Sequence, residues 1–169
     1  MSQPESRAAD HDFLPKRLWP LFPVVYLIHL LDERFFGVGT ANWSTLNDIL
    51  YFTNEGWLWV NIPSFLLMLA ASSAAGRGRL PQWVFVSIAM HLLLHGLMRI
   101  SGSVVMPTLA PGVVTGALLC VPVSTFVYRR ALGVLRPATL VRASLVGVAT
   151  LQPVYHWLLH PWLPQPLPT

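Results

Sequence analysis

Five long apolar stretches, separated by short polar connections, dominate the pattern along the chain. A window of about 19 residues, close to the length that a helix needs to cross a bilayer, delimits them. They cover residues 18–36, 56–75, 82–101, 112–132 and 139–163. The pattern predicts an all-α fold, a polytopic membrane helix bundle with five transmembrane helices.

The segments outside these stretches divide the chain further. We predict a polar N-terminal arm at 1–16, a five-span membrane domain at 17–163 and a proline-rich tail at 164–169. No A-x-A cleavage site follows the first apolar stretch, so we expect it to remain in the mature protein. Between the first two spans, NWSTLNDILYF has apolar residues at near-helical spacing and predicts a short helix in the membrane interface.

Composition supports a membrane protein. Hydrophobic residues make up 54% of the 169 residues and charged residues only 11%, whereas soluble domains carry about 25% charged residues. The single cysteine, Cys120, excludes an intramolecular disulfide. The net charge of +4 comes from cations that cluster in the connections on one side of the predicted spans, as is usual in membrane proteins. We therefore expect no nucleic-acid partner.

The distribution of the cations predicts an orientation. With five alternating spans, only Arg34 and Arg99 fall on the C-terminal side, and the nine other cations fall on the N-terminal side. Because loops rich in Lys and Arg stay in the cytoplasm, we predict a cytoplasmic N-terminus and an outside C-terminus. Ten arginines beside one lysine are typical of a GC-rich bacterial genome, which favours a bacterial plasma (inner) membrane.

Ionisable residues recur at one depth in the first, third and fifth spans. Each of these spans carries a pair four residues apart: His29 with Glu33, His91 with His95, and His156 with His160. Residues four apart share one helical face. Counted from the arginine that opens each span, all six lie roughly 18 to 27 Å from the cytoplasmic ends, in the outer half of the bilayer.

Such pairs can bind a metal ion, as in the helical H-E-x-x-H motif. We therefore predict a site for a divalent transition metal, Zn or Fe. Its six candidate ligands are His29, Glu33, His91, His95, His156 and His160. The candidate catalytic residues are Glu33, as general base, and Asp32. Asp32 points about 100° away from Glu33, so it is expected to orient a histidine or to bind Arg99 or Arg34. The alternative for each histidine is an interhelical hydrogen bond that only stabilises packing.

Polar residues at the outer ends of the second and fourth spans enter the same layer. Asn54, Glu55, Asn61 and Thr115 are candidates for contacts with the ligands, although Asn54 and Glu55 are better explained as helix-capping residues. Gly112 and Gly116, four apart, predict close helix packing.

These residues together resemble the HXXEE-domain family of small membrane proteins. The sequence from His29 to Glu33 occupies the defining motif, with Asp32 in place of its first glutamate. MHLLLHG and the Pro-Gly-x-x-Thr segment from Pro111 to Thr115 are similar to later elements of the family, and the likeness covers roughly residues 18–132. The resemblance implies a shared membrane site and, because the function of the family is uncharacterised, no particular reaction.

Several functions fit this pattern. The first is a metal-dependent membrane hydrolase that acts on a lipid-like substrate from the outer leaflet. The second is a proton or metal-ion carrier or sensor, and the third is a non-catalytic membrane subunit whose polar layer holds helices together. Bis-histidine haem ligation is a fourth. The oligomeric state is left open.

Overall fold

A computed structural model describes residues 12–36, 54–105 and 110–150. The described residues are helical and contain no strand. After a short 3₁₀ turn at Lys16–Leu18 they form α1 (Leu21–Phe36), α2 (Asn54–Gly76), α3 (Trp83–Val105), α4 and α5 (Pro137–Ala149). Helix α4 runs over 113–132 and consists of an α-helical turn (Val113–Thr115), a π-helical segment (Gly116–Cys120) and a regular α-helix (Val121–Leu132).

The helix ends follow the turn chemistry of the sequence. Gly78, with a φ of 72°, makes the turn that ends α2, where a residue with a Cβ would be strained. Pro137 occupies the first turn of α5, where its missing N–H removes no helical bond. All five predicted stretches therefore contain a helix, although α5 is described only to the residue after its end at Ala149.

Helix α3 is the centre of the bundle and contacts the four other helices. It runs parallel to α1, since Phe22 stacks on Phe85 with ring centroids 5.2 Å apart and Glu33 contacts His95 further along. It also runs parallel to α5, since Gly147 packs against Ser87 and, further along, Thr150 at the end of α5 bonds to His91. The first, third and fifth helices thus share a direction, as the positions of their polar pairs require.

The segment before α1 is fixed to the start of α3. Gln82 accepts a hydrogen bond from the backbone N–H of Leu14 at 3.1 Å and donates one to the Leu14 carbonyl at 2.9 Å. Phe13 and Leu14 are buried in the core. The end of the predicted polar arm therefore belongs to the packed structure.

Small residues allow α4 to approach α3. A Cβ on Gly116 would lie 3.2 Å from the Cα of Gly96, and a Cβ on Gly96 would lie 2.9 Å from the Gly116 carbonyl oxygen. The predicted packing role of Gly116 is confirmed. The π-helical segment begins at this contact, in the helix that carries Thr115.

Among the described residues, one helical segment, Trp83–Val104, is long and apolar enough to cross a membrane, and 61% of its most apolar window is buried inside the protein. A core helix of a soluble protein meets the same criteria. The observation is therefore weak evidence for a membrane, and the five spans with their orientation stay a prediction. The predicted interfacial helix between α1 and α2, most of the N-terminal arm and the proline-rich tail lie outside the described residues.

Candidate metal centre

One face of α1 carries the first part of the site. His29 and Glu33 are four residues apart and both are fully buried. Helix α3 supplies His95, which is 4% exposed, on the opposing face. Burying these polar groups is costly unless they have partners, so their contacts decide what the cluster does.

The contacts converge on one atom, Oε1 of Glu33. His95 Nε2 lies 3.1 Å from it in a hydrogen bond, and His29 Nε2 lies 3.2 Å from it. The Arg99 guanidinium donates from Nη2 at 2.6 Å. The His29 contact differs from the other two, because its Nε2 has no hydrogen-bond partner among the described residues despite the short distance.

Thr115 fixes the tautomer of neutral His29. Its Oγ1 lies 2.7 Å from Asp32 Oδ2, 3.2 Å from the Gly112 carbonyl oxygen and 2.7 Å from His29 Nδ1. The hydroxyl has a single proton, which the carboxylate or the carbonyl accepts, so it must accept from the ring. We therefore assign the ring proton to Nδ1. This leaves a lone pair on Nε2 of neutral His29, facing the carboxylate oxygen.

Gly112 brings the backbone of α4 against this cluster. It has a φ of 78°, and a Cβ there would lie 2.7 Å from His29 Cε1 and 2.8 Å from Glu33 Cγ. Only glycine fits this position without displacing the two side chains. The Pro-Gly-x-x-Thr segment thus supplies both a close backbone approach and the hydroxyl that orients His29.

The three donors His29, Glu33 and His95 have the spacing of a metal site. Their ligand atoms lie within 4.8 Å of one another. Metal–nitrogen bonds of about 2.0 Å in a tetrahedron place neighbouring donors about 3.3 Å apart, and the two distances to Glu33 Oε1 are 3.2 and 3.1 Å. Two imidazoles and a carboxylate bind zinc or non-haem iron and leave one or more positions open. The cluster could hold a metal ion, and its geometry names no particular metal.

The structure corrects one expectation about the charged groups. Arg99 was one of the alternative partners considered for Asp32, but its guanidinium binds Glu33. Asp32 instead accepts a hydrogen bond from the Thr115 hydroxyl and so orients His29 indirectly. This agrees with the other alternative, that Asp32 orients a histidine. The sequence contains a signal for Arg99, because His91, His95 and Arg99 follow one another at intervals of four on α3.

The remaining predicted ligands are less close or not described. His91 packs beside His95 with ring centroids 6.1 Å apart, and its Nδ1 lies 3.3 Å from Thr150 Oγ1. Its role as a metal ligand stays a prediction. His156 and His160 lie outside the described residues, as do the side chains of Asn54 and Glu55.

Two further polar residues support the rings. Asn61 Oδ1 accepts the hydroxyl of Tyr26 at 3.1 Å. The ring of Tyr26 makes edge contacts with His91 and His95 at centroid distances of 5.7 and 5.9 Å. Asn61 therefore reaches the site through Tyr26, a residue that the apolar pattern alone did not mark.

These features define a class of helical protein with a buried histidine and carboxylate cluster built by α1, α3 and the start of α4. The model of the family described as proteins of unknown function with an HXXEE motif matches residues 20–127, which include all of these residues. The chain belongs to the HXXEE family, as the motif at His29 to Glu33 predicted. Comparison with curated proteins and with solved structures found no match.

Proposed function

We propose that this protein is an integral membrane metalloprotein that binds one divalent transition-metal ion between His29, Glu33 and His95. The observation that carries the proposal is the lone pair of His29 Nε2, held by Thr115 at 3.2 Å from Glu33 Oε1. Two acceptors repel each other at this distance unless a cation lies between them. A metal ion that accepts both lone pairs removes the repulsion.

The outer surface supports a membrane setting. Large apolar side chains are exposed on all five described helices, among them Phe35 at 75%, Val104 at 81% and Leu118 at 68%. Large apolar side chains exposed on every described helix favour a lipid environment over water. Exposed arginines lie in the α2–α3 and α4–α5 connections, which agrees with a cytoplasmic location of both turns. We propose the bacterial plasma membrane as the location.

The ligand set is suited to metal-assisted hydrolysis. Two histidines and one glutamate resemble the ligands of catalytic zinc sites, which keep a position for water. The metal would activate that water and polarise a carbonyl or phosphoryl oxygen of a lipid-like substrate. Glu33 would act as a ligand through Oε1, and Asp32 would act as a positioning residue through Thr115. The role of Glu33 as a general base then requires its other oxygen.

A proton provides the competing explanation. Protonation of His29 Nε2 would also remove the repulsion with Glu33, and the row of buried ionisable groups would then form part of a proton carrier or sensor. In the third explanation, the ion pair between Arg99 and Glu33 alone stabilises the bundle, and no metal binds. Of the three explanations, only the first requires a bound metal.

Elemental analysis of detergent-purified protein tests the proposal. The chain should carry a Strep-type affinity tag, because a polyhistidine tag would bind metal itself. We expect about one zinc or iron ion per chain, the stoichiometry of a single site with three protein ligands. His95→Ala should lose the metal, because two ligands remain.

His11→Ala is the matched control, since it removes a histidine of the N-terminal arm, far from the cluster in sequence. This variant should retain the metal of the wild type. Wild-type protein that stays metal-free after incubation with Zn²⁺ and with Fe²⁺ under reducing conditions would refute the metal site and leave the proton or structural explanation.

A further inference from the structure

An apolar cavity of about 280 Å³ lies between α2, α3 and α5. Its walls include aliphatic side chains such as Met68, Val84, Ile88 and Val146. This volume is close to the lower end of the range of about 300 to 1,000 Å³ that is usual for ligand pockets. An apolar cavity of this kind does not hold ordered water over most of its volume.

Four polar side chains, Ser64, Ser87, His91 and Thr150, interrupt this apolar lining, and two of them carry the inference. Ser87 and His91 both line the cavity, one helical turn apart on α3, and are 7% and 4% exposed. Ser87 Oγ and His91 Nε2 have no hydrogen-bond partner among the residues that the structure describes. Buried polar atoms almost always have a partner, so an unsatisfied pair on the wall of one cavity points to a ligand.

The hydrogen bonds of His91 define what that ligand must offer. Thr150 Oγ1 donates its proton to the Gly147 carbonyl oxygen at 2.9 Å. It can therefore only accept from His91 Nδ1, which lies 3.3 Å away. The proton of the neutral ring is on Nδ1, and Nε2 is an acceptor. The ligand must donate a hydrogen bond to His91, and it can accept one from the Ser87 hydroxyl.

We infer that this cavity binds an apolar molecule that carries a hydroxyl group, with the hydroxyl donating to His91 Nε2 and accepting from Ser87 Oγ. A carboxylate lacks the proton that His91 requires, and an ether oxygen can only accept. The inference narrows the lipid-like substrate of the proposed function to an alcohol. It rests on that proposal for the membrane setting alone and does not require the metal.

The size of the cavity selects the chain length of a probe. About nine groups the size of a water molecule, at about 30 Å³ each, fill this volume. Nonanol has ten heavy atoms, close to this size, and octyl methyl ether has the same number but no donor. The pair differs in one property, the proton that His91 Nε2 would accept.

Photolabelling in lipid nanodiscs tests the inference. The probe is a medium-chain alcohol with a diazirine in its chain, applied to metal-free protein so that the outcome is independent of the metal site. We expect crosslinks to residues that line the cavity, and we expect nonanol to compete about fivefold better than octyl methyl ether, the factor for one net hydrogen bond. Equal competition by the two would overturn the hydroxyl assignment. This is the result expected if a water molecule, and no ligand hydroxyl, bonds to Ser87 and His91.

Two neighbouring alanines of α2 provide matched variants. Ala71 lines the cavity, whereas Ala70 is exposed and does not line it. Ala71→Trp should reduce labelling of the cavity to background, and Ala70→Trp should label as the wild type does. Equal labelling of both variants, or no cavity crosslinks in the wild type, would overturn the site. If Ala71→Trp does not fold, the competition between nonanol and octyl methyl ether on the wild type decides alone.

Discussion

His91 and His95 lie one turn apart on the same helix and are buried to the same extent, at 4% exposure each. His95 faces a charged cluster, in which its Nε2 lies 3.1 Å from the Glu33 carboxylate and Arg99 binds the same oxygen. His91 faces an apolar cavity, and its Nε2 has no partner among the described residues. Two histidines one turn apart on one helix thus lie in two different environments.

The difference shows what decides the chemistry of an i, i+4 histidine pair. The facing helix α1 provides Glu33 to the ring of His95, whereas the ring of His91 contacts Tyr26 and Thr150 and has no charged partner among the described residues. Facing lone pairs of an imidazole and a carboxylate favour a cation between them, and an apolar cavity favours an apolar ligand. The pair would then hold a metal at one member and a substrate hydroxyl next to it.

The largest expected effect is on the charged side of this comparison. Arg99 has a side chain only 11% exposed and binds a fully buried carboxylate. Arg99→Met removes the cation and leaves Glu33 without its ion-pair partner, which should lower the free energy of unfolding by about 3 to 5 kcal/mol. The measurement is unfolding in mixed detergent micelles followed by circular dichroism.

Zn²⁺ should restore most of that loss, because a metal ion replaces the missing positive charge at Glu33. Arg34→Met is the control, since Arg34 is exposed on α1, and it should change stability by less than about 0.5 kcal/mol. Instability of the Arg99 variant that Zn²⁺ does not relieve would favour a purely structural ion pair.

Gly112→Ala should have the next largest effect. The new Cβ would lie 2.7 Å from His29 Cε1, on a backbone with a φ of 78°. The strain and the displaced side chains should cost about 2 to 3 kcal/mol, and metal content should fall with them. Gly133→Ala is the control, because its Cβ would meet only the Arg130 carbonyl oxygen at 4.0 Å. Similar losses in both variants would show that the site does not depend on this close approach.

Thr115→Val should weaken metal binding by about 10- to 100-fold, the usual effect of removing a group that orients a ligand. Without the hydroxyl, His29 is free to place its ring proton on Nε2, where it blocks the metal. Thr115→Ser retains the hydroxyl and should bind as the wild type does. Thr125→Val serves as the control, because it removes a hydroxyl that donates to the Val121 carbonyl oxygen within α4. Titration with Zn²⁺ against a fluorescent chelator measures all four proteins.

The sequence predicted well where the helices lie and which residues share a helix face. Apolar length located the first four helices within a few residues, whereas the fifth predicted stretch, 139–163, contains a helix that ends at Ala149. The interval of four placed His29 with Glu33 on α1 and His91 with His95 on α3. Both depend on geometry within one helix, which is the same in every protein. The shared direction of α1, α3 and α5 followed from counting alternate spans.

Contacts between helices were harder to predict. Arg99 binds Glu33 and not Asp32, because the register of α1 on α3 places Glu33 opposite. That register depends on packing details such as the contact of Gly96 with Gly116, which no local pattern specifies. The unsatisfied Nε2 of His91 was equally unpredictable, since it depends on Thr150 of a distant helix.

The smallest expected effect lies on the apolar side of the comparison, at Ser87. Its buried hydroxyl has no partner among the described residues, so Ser87→Ala should raise the free energy of unfolding of the empty protein by up to about 1 kcal/mol. Ser72→Ala should change stability in the opposite direction, because Ser72 Oγ donates to the Met68 carbonyl oxygen at 2.7 Å. With nonanol present, the wild type should gain stability relative to Ser87→Ala, since only the wild type offers the hydroxyl. A Ser87 variant that is less stable than the wild type without nonanol would show that Ser87 already has a partner in the empty protein.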